Sequence, residues 1–253
     1  TFGHQLSNRS FSHTKDTMEW NPCSTSSALP QIIFGPPGAG KGTQSDKIVK
    51  SFNLFKISTG DLLREEIKYN TDLGIKIKNI IDKGSFVSDK IISDLITKIL
   101  SDKKFDNRII FDGYPRNLTQ AKELDSLLKK YSQEVSCVVN LNVDKDSIIK
   151  RILGRVVCSN CGSIFNKYFN TPDNNKHKCE LKYLKTRTDD NEETIKKRYE
   201  TYLKETLPIL NYYDSKKILH HIDGMKNIDE IYKEICGIIT PLEAWLCKLY
   251  LYK

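Results

Sequence analysis

A glycine-rich run with one lysine and one threonine is the strongest chemical signal in the sequence. Residues 35–43 read GPPGAGKGT, which matches the pattern G-x-x-x-x-G-K-[ST] except that one glycine separates the lysine from the threonine, and the run lies between an apolar strand-like run and a helical pattern. Glycines allow a turn that points successive backbone N–H groups at phosphate oxygens, and the helix N-terminus adds a positive dipole end. The lysine then reaches the outer phosphates of a nucleotide, and the threonine reaches its Mg²⁺. The run predicts a phosphate site formed by Gly38, Ala39, Gly40, Lys41, Gly42 and Thr43.

Arginines in the later segments indicate a second group of phosphate contacts. A planar guanidinium holds phosphate oxygens at fixed angles, so several arginines suit a reaction that brings two charged nucleotides together. Phosphoryl transfer of this kind relies on positioning and charge compensation, so it requires neither a Ser-His-Asp set nor a Cys-His set. The candidates are Arg64, Arg116, Arg155, Arg187 and Arg198.

Two aspartates are candidates for holding magnesium or its water molecules. Asp112 ends the apolar run RIIFD, and the carboxyl end of a buried strand is the usual position for such a carboxylate. Asp61 follows the segment ISTG and is the second candidate. Both are expected to act through water, because Mg²⁺ keeps several waters in nucleotide sites.

Four segments, in this order, resemble the adenylate kinase family, especially its long bacterial form with a zinc-bearing lid. They are GPPGAGKGTQ at 35–44, ISTGDLLRE at 57–65, DGYPRN at 112–117 and RTDDNEETIKKR at 187–198. Their joint occurrence is far more specific than any one of them. The resemblance runs from about residue 31 to 239, and it implies reversible phosphoryl transfer from Mg-ATP to AMP, giving two ADP.

The resemblance implies roles for individual residues on the AMP side. Arg64 and Arg116 bind the AMP phosphate, while Arg155, Arg187 and Arg198 close over the transferring phosphoryl group. Hydrogen bonds from Thr59 and Gln120 to adenine discriminate among bases, and the backbone around 85–87 lines the same pocket. The expected AMP-binding set is Thr59, Arg64, Ser85, Phe86, Val87, Gly113, Tyr114, Pro115, Arg116, Gln120, Arg187 and Arg198.

On the donor side, the resemblance implies that the Arg151 guanidinium stacks on the ATP adenine and that Lys226 lies near the far edge of that base. Ile164 and Phe165 are expected to contact ATP as well, together with the glycine-rich run and Arg155. Asp189 and Asp190 precede a helix that begins near residue 192. The structural alternative to a role at the lid hinge is that they cap this helix, and the two roles are compatible. The expected catalytic set is Lys41, Asp112, Arg116, Arg155, Arg187 and Arg198.

A C-x-x-C pair, Cys158 and Cys161, opens a segment without a long amphipathic helix, which indicates an inserted lobe. The zinc-bearing family has a second ligand pair here, but lysines stand three residues on either side of Cys179. We expect Cys158, Cys161, His177 and Cys179 to form a tetrahedral Cys₃His zinc site of structural type, with non-standard spacing. The alternative is a lid without metal, held by apolar contacts of Ile164, Phe165, Tyr168 and Phe169.

Short apolar runs alternate with amphipathic stretches from residue 31, which predicts an α/β fold. We expect the P-loop NTPase type, a five-stranded parallel sheet flanked by helices, over 29–239. An AMP-binding lobe (about 58–87) and a lid (about 154–190) are inserted, after a disordered leader (1–28) and before a tail of unknown role (240–253). Predicted strands are 31–34, 55–57, 108–112, 135–143 and 218–222, and predicted helices include 61–69, 90–100, 118–130 and 192–203.

Composition limits the classes of partner. The net charge of +8 comes from lysines and arginines that are spread among acidic residues, which favours small polyanions such as ATP, AMP and ADP over nucleic acid. No apolar run approaches the roughly 20 residues that span a bilayer, so we expect a soluble protein. The seven cysteines do not indicate a disulfide framework. A cytoplasmic monomer is expected, or an organellar protein if the leader is a transit peptide.

Four alternatives stay open at this stage. A GTP:AMP phosphotransferase has nearly the same skeleton and differs mainly in the donor-base pocket. A UMP/CMP kinase fits less well, because Thr59 matches the AMP-type pocket and the lid is long. A non-catalytic nucleotide sensor with a zinc module would be expected to lose part of the arginine set, and RNA binding through the C-x-x-C lobe would be sensitive to salt.

Overall fold

The computed structural model describes residues 30–69, 72–82, 87–101, 108–173 and 177–251. The segment 1–28, for which a disordered leader is predicted, lies outside the described residues, as do Ser85 and Phe86 of the expected AMP pocket. The strands are β1 (Gln31–Phe34), β2 (Phe55–Ser58), β3 (Ile109–Asp112), β4 (Cys137–Asn142), β5 (Arg155–Cys158), β6 (Ile164–Asn166), β7 (Leu184–Lys185) and β8 (Leu219–Asp223).

Helices follow most of the strands, as the alternating pattern predicts. A π-helical turn, Tyr202–Thr206, joins two of them, and a 3₁₀ turn, Leu181–Tyr183, precedes β7. The α-helices are α1 (Lys41–Phe52), α2 (Thr59–Lys68), α3 (Asp72–Asp82), α4 (Asp89–Leu100), α5 (Leu118–Lys130), α6 (Lys145–Leu153), α7 (Glu192–Thr201), α8 (Ile209–Asp214) and α9 (Ile228–Leu251).

The central sheet is parallel and has the strand order β2-β3-β1-β4-β8. All four residues of β1 and of β3 are buried, as expected for strands covered by helices on both faces. The predicted fold class, a five-stranded parallel sheet flanked by helices, is therefore confirmed. Strand β4 is shorter than the predicted 135–143, and Val135 and Val143 pack against apolar clusters outside the strand.

Two apolar clusters cover the two faces of the sheet. One cluster packs α4, α5 and α8 against the sheet and includes Phe111, Leu124 and Tyr213, all fully buried. The other packs α1 and α9 against the opposite face. The parallel strands consequently point their carboxyl ends at one edge, where ligands of open α/β sheets bind.

Side-chain caps set the starts of several helices. The Ser58 Oγ accepts a hydrogen bond from the Asp61 N–H at 3.3 Å, so α2 begins two residues before the predicted start at 61. The Asn117 Oδ1 accepts from the Gln120 N–H at 2.8 Å, and α5 has the predicted bounds of 118–130. The predicted helix 192–203 ends earlier as an α-helix, at Thr201, where the π-helical turn follows.

Two smaller units interrupt the central fold. Helices α2 and α3 lie between β2 and α4. Strands β5, β6 and β7 form a separate antiparallel sheet, with the order β6-β5-β7, between α6 and α7. Helix α9 runs through Pro241 into the predicted tail as far as Leu251. Among the described helices, none combines the length and the apolar character that crossing a membrane requires.

Candidate nucleotide-binding site

The glycine-rich loop lies between β1 and α1, as predicted. Gly38 and Gly40 have φ angles of 80° and 97°, a left-handed region that favours glycine. A Cβ at Gly38 would lie 2.7 Å from the Ile152 Cγ1, so the loop also needs the missing side chain for space. The Lys41 Nζ donates to the carbonyl oxygens of Gly35 and Pro36, both at 2.8 Å, which holds the ammonium across the loop.

In the ligand-free site, the surroundings of Lys41 disfavour its charged ammonium form. Burial lowers its pKa to about 8, and the neighbouring Arg116, Arg198 and Arg155 act in the same direction. The Asp112 carboxylate opposes this shift. A negatively charged ligand in the loop would remove the imbalance, because an opposite charge favours the ammonium form.

The two aspartates predicted for magnesium have different surroundings. Asp112 is largely buried at the end of β3, and its Oδ2 would lie 3.5 Å from a Cβ at Gly42, so the carboxylate faces the glycine-rich loop. Burial raises its pKa, although the nearby Lys41 and Lys56 lower it. The Asp61 Oδ1 accepts from the Arg64 Nη2 at 2.5 Å. An oxygen ligand beside the loop therefore fits Mg²⁺ better at Asp112.

Lys56 is a cavity residue that the sequence interpretation missed. Its Nζ lies 2.5 Å from the Asp46 Oδ1 and 3.8 Å from the Asp61 Oδ2. Burial works against its charge, but these carboxylates outweigh it and raise the lysine pKa. The alternation of side chains along a strand could have indicated that Lys56 faces the cavity, because Lys56 and Ser58 lie on the same face of β2.

Arg116 is fixed by contacts at both its side chain and its backbone. Its Nε donates to the Gly113 carbonyl at 2.8 Å, and its Nη2 lies 3.4 Å from the Thr59 Oγ1. Its carbonyl accepts from the Thr206 Oγ1 at 2.8 Å, a contact from the π-helical turn that the sequence did not indicate. Burial lowers the Arg116 pKa to about 10, and Arg198 and Arg64 add to the shift.

The predicted capping by Asp189 and Asp190 is wrong. The cap of α7 is Asn191, whose Oδ1 accepts from the Thr194 N–H at 2.9 Å. The two aspartates are buried and instead pair with arginines: Asp190 accepts from the Arg155 Nε at 2.8 Å, and Asp189 lies 2.7 Å from the Arg198 Nη1. A short polar residue directly before the first helical turn, at 191, was the better capping signal.

Arg187 differs from its neighbours. Burial lowers its pKa to about 10, and the repulsion from Arg155 and Arg64 acts in the same direction. Within the described ranges, no ion-pair partner is found for its guanidinium. This side chain is therefore available to an anionic ligand in the cavity.

One cavity of about 1000 Å³ brings most of the predicted residues together. Its wall includes both the glycine-rich loop and the arginines. Four residues predicted for AMP, Thr59, Val87, Tyr114 and Gln120, are buried and do not line the cavity. Thr59 and Gln120 contact Arg116, which does line it, and the Tyr114 ring packs against Phe111. The predicted residues on the wall are Gly38, Ala39, Gly40, Lys41, Gly42, Thr43, Asp61, Arg64, Asp112, Gly113, Pro115, Arg116, Arg151, Arg155, Ile164, Phe165, Arg187, Arg198 and Lys226.

Arg151 connects two segments of the chain at the cavity. Its Nη2 donates to the Gly224 carbonyl at 2.9 Å and its Nη1 to the Ala39 carbonyl at 3.5 Å, which links the glycine-rich loop to the segment before α9. Lys226 pairs with Glu234 at 2.5 Å. Phe169 and Met225 also line the cavity and were not predicted to do so. Flat and apolar groups around a guanidinium suit a nucleobase.

The four predicted zinc ligands form one cluster in the three-stranded sheet region. The ligand atoms of Cys158, Cys161, His177 and Cys179 all lie within 4.8 Å of one another. His177 is 5% exposed, and neither of its ring nitrogens has a hydrogen-bond partner. Leaving a buried imidazole without a partner is unfavourable, and a metal ion would use one of these nitrogens. The donor set thus fits zinc.

The alternative of a lid held by apolar contacts finds partial support. Phe165 is buried and its ring centroid lies 5.0 Å from that of His177. Tyr168 and Phe169, however, are 61% and 57% exposed, so they add little apolar burial.

The fold and the cavity define the class: a phosphate-loop protein whose site has cationic groups for two phosphate-bearing ligands. Comparison with known proteins narrows the class. The family model described as adenylate kinase matches residues 33–218. An adenylate kinase of Pelagibacter ubique is 47% identical over 208 residues, which cover 82% of this chain and 98% of the relative.

Two further relatives carry the same description. The adenylate kinase of Archaeoglobus fulgidus is 39% identical over 84% of this chain and 99% of its own length. That of Bacillus licheniformis is 41% identical over 81% of this chain and 94% of its own length. The chain belongs to the adenylate kinase family.

The low pKa of Lys41 predicts proton uptake when ATP binds. At pH 8 about half of the free protein carries a neutral Lys41, whereas the bound phosphates favour the ammonium form. Titration calorimetry in buffers of different ionisation enthalpy should show an uptake of up to about half a proton at pH 8 and little at pH 6.5.

The Lys41→Arg variant is the control, because its side chain stays charged at both pH values. Subtracting its protonation change removes the contribution of ATP itself. Equal uptake by the variant and the native protein at pH 8 would contradict the assignment to Lys41.

Proposed function

We propose that the chain transfers the terminal phosphoryl group of Mg-ATP to AMP and produces two ADP. The observation that carries the proposal is the convergence of Lys41, the glycine-rich loop and a set of arginines on one cavity. The loop would bind the phosphates of one nucleotide, and Arg64 and Arg116, which line the same cavity, would bind the phosphate of another. Membership of the adenylate kinase family supports this assignment.

The donor end of the site would hold the polyphosphate of ATP. The loop N–H groups and Lys41 bind the β and γ phosphates, while Arg151 lies under the base. Asp112 and Thr43, both on the cavity wall, would hold Mg²⁺ or its waters. When bound, Mg²⁺ neutralises charge on the phosphate oxygens.

The acceptor end would place AMP in line with the donor. An oxygen of the AMP phosphate, held by Arg64 and Arg116, attacks the γ-phosphorus as its bond to the bridging oxygen of ADP breaks. Arg155, Arg187 and Arg198 neutralise the equatorial oxygens during the transfer. No proton needs to be removed, because the attacking phosphate is already an anion.

The three-stranded sheet would act as the lid over this reaction. Arg155 begins β5, and Ile164 and Phe165 of β6 line the cavity, so the lid contributes directly to the wall. Excluding water directs the phosphoryl group to AMP rather than to hydrolysis. The finer attributes, a monomer in the cytoplasm or in an organelle that acts without nucleic acid, remain predictions of the sequence.

A nucleotide panel tests the proposed reaction. The purified protein with Mg²⁺ should convert ATP and AMP to ADP, and GTP in place of ATP should give a lower kcat/KM. Binding of both nucleotides without ADP formation would favour a sensor. A preference for GTP would favour the GTP:AMP phosphotransferase.

Replacement of Arg187 should slow turnover more than it weakens ATP binding. The guanidinium lines the cavity, and its proposed partner is charge that develops during transfer, so Arg187→Ala should lower kcat by about 100-fold. The dissociation constant for ATP should change by no more than a few-fold. Steady-state kinetics and equilibrium binding measure the two effects.

Lys196→Ala is a matched control for Arg187, because it removes an exposed positive charge from α7 that pairs only weakly with Glu192, at 3.5 Å. Its kcat should stay near the native value. If Arg187→Ala loses ATP affinity and kcat in equal proportion, the residue acts in binding and the proposed role fails.

We further propose that the lid carries one structural zinc ion. Cys158, Cys161, His177 and Cys179 supply four ligands, which leaves no open position for catalysis. The support is the proximity of the ligand atoms together with the buried, unpartnered imidazole.

Protein prepared without added metal should contain about one zinc per chain, measured by plasma mass spectrometry. His177→Gln should reduce the zinc content and lower the melting temperature, because a ligand is lost. His220→Gln is the control, since His220 is exposed on β8, away from the cluster. Native protein with well below one equivalent of metal would contradict the site.

A further inference from the structure

We propose that Asp89 determines the preference for adenine over oxo-purines at the acceptor site, by fixing the orientation of the Gln120 amide. Asp89 is the first residue of α4 and has no role in the sequence interpretation. The proposal deepens the proposed function and rests on it, because it takes Gln120 as a contact to the AMP base.

The Gln120 amide is held from both ends by groups with opposite hydrogen-bonding character. Its Oε1 accepts from the backbone N–H of Arg116 at 2.7 Å, and its Nε2 donates to the Asp89 Oδ1 at 2.6 Å. The side chain is 2% exposed, so bulk water cannot replace either partner. The amide therefore joins the backbone of a phosphate-binding arginine to α4.

Asp89 is itself fixed by a second amide. The Asn117 Nδ2 donates to both oxygens of the Asp89 carboxylate, each at 3.1 Å. The Asn117 Oδ1 accepts from the Gln120 N–H as the cap of α5, so the orientation of this amide is also determined. The carboxylate is thus presented to Gln120 as an acceptor at a defined position.

These contacts allow one orientation of the Gln120 amide. A backbone N–H is only a donor, and an ionised carboxylate is only an acceptor. Rotating the amide by 180° would place Nε2 against the Arg116 N–H and Oε1 against the carboxylate. Two buried repulsive contacts would replace two hydrogen bonds, and burial makes such contacts more unfavourable.

The orientation of an amide matters because adenine and hypoxanthine present opposite patterns. After its protein contacts, Gln120 retains one acceptor lone pair on Oε1 and one N–H on Nε2. Adenine offers an amino donor at N6 and an acceptor at N1, which match these two groups. Hypoxanthine offers an acceptor at O6 and a donor at N1, which oppose both.

A glutamine that rotates freely would accept either base. The base cannot reverse its own edge, because Arg64 and Arg116 fix the phosphate and so the direction in which the base enters. Selectivity must therefore come from whatever prevents rotation of the amide. The Arg116 N–H supplies half of that constraint and Asp89 supplies the other half.

The test compares AMP with IMP, which differ at position 6 and in the proton at N1, as acceptors with saturating Mg-ATP. The native protein should have a higher kcat/KM for AMP. The Asp89→Asn substitution keeps the size of the side chain but introduces an amide, which can donate as well as accept. It therefore removes the requirement that Gln120 present a donor at this position. The ratio of kcat/KM for AMP to that for IMP should fall by about tenfold or more, the factor associated with a buried group losing its pairing.

Asp94→Asn is the matched control. Asp94 lies on the same helix and is exposed, and the substitution removes the same charge. Its AMP to IMP ratio and its KM for ATP should equal the native values. If Asp89→Asn does not fold, Asp89→Ser, which also lacks the acceptor-only group, replaces it. Folding is checked by the melting temperature and by ATP binding.

The outcomes separate this proposal from the proposed function. A native protein that forms no ADP defeats the phosphotransferase assignment, and calorimetric binding of AMP and IMP then tests Asp89 independently. A ratio within twofold of native in Asp89→Asn, even with a lower melting temperature, would show that Asp89 only braces α4 against α5 and would overturn the proposal. A native protein that uses IMP as well as AMP would overturn it too.

Discussion

The burial of several positive charges around one cavity is the constraint on which the rest of the structure depends. Burial lowers the pKa of Lys41, Arg116, Arg187 and Arg198, and the arginines repel one another within the same space. Such an arrangement is unfavourable without counter-charges. The structure therefore has to supply carboxylates for the ligand-free state and leave room for phosphates in the bound state.

The parallel sheet supplies the rigid part of this arrangement. Strands β1 and β3 are neighbours and end at the glycine-rich loop and at Asp112, so a phosphate loop and a carboxylate meet without further elements. The inserted units supply further positive charges, because α2 carries Arg64 and β5 begins with Arg155. Charges that must approach a ligand from several sides are thus placed on separate pieces of chain around one fixed loop.

Much of this could be predicted from sequence because the strongest signals are local. The glycine-rich loop follows from a nine-residue pattern, and α5 from its cap and its apolar spacing. Contacts between distant segments could not be predicted in this way. The pairing of Arg155 with Asp190, the Thr206 hydroxyl on the Arg116 carbonyl and the Lys56 contact with Asp46 join residues 35, 90 and 10 positions apart. No periodicity encodes such contacts, and for Asp189 and Asp190 a local capping rule gave the wrong partner.

Three arginines of the cavity wall are paired with carboxylates. Asp61, Asp189 and Asp190 are paired with Arg64, Arg198 and Arg155. The guanidinium groups of Arg155 and Arg198 are held by these pairs while largely buried, so a phosphate that arrives meets donors that need little further ordering. Removing such a carboxylate would leave the cations to repel one another, while a more extensive pairing would compete with the ligand. For Arg187, no ion-pair partner is found in the part of the chain that the structure describes. Its positive charge is therefore available to pair with a phosphate of the ligand.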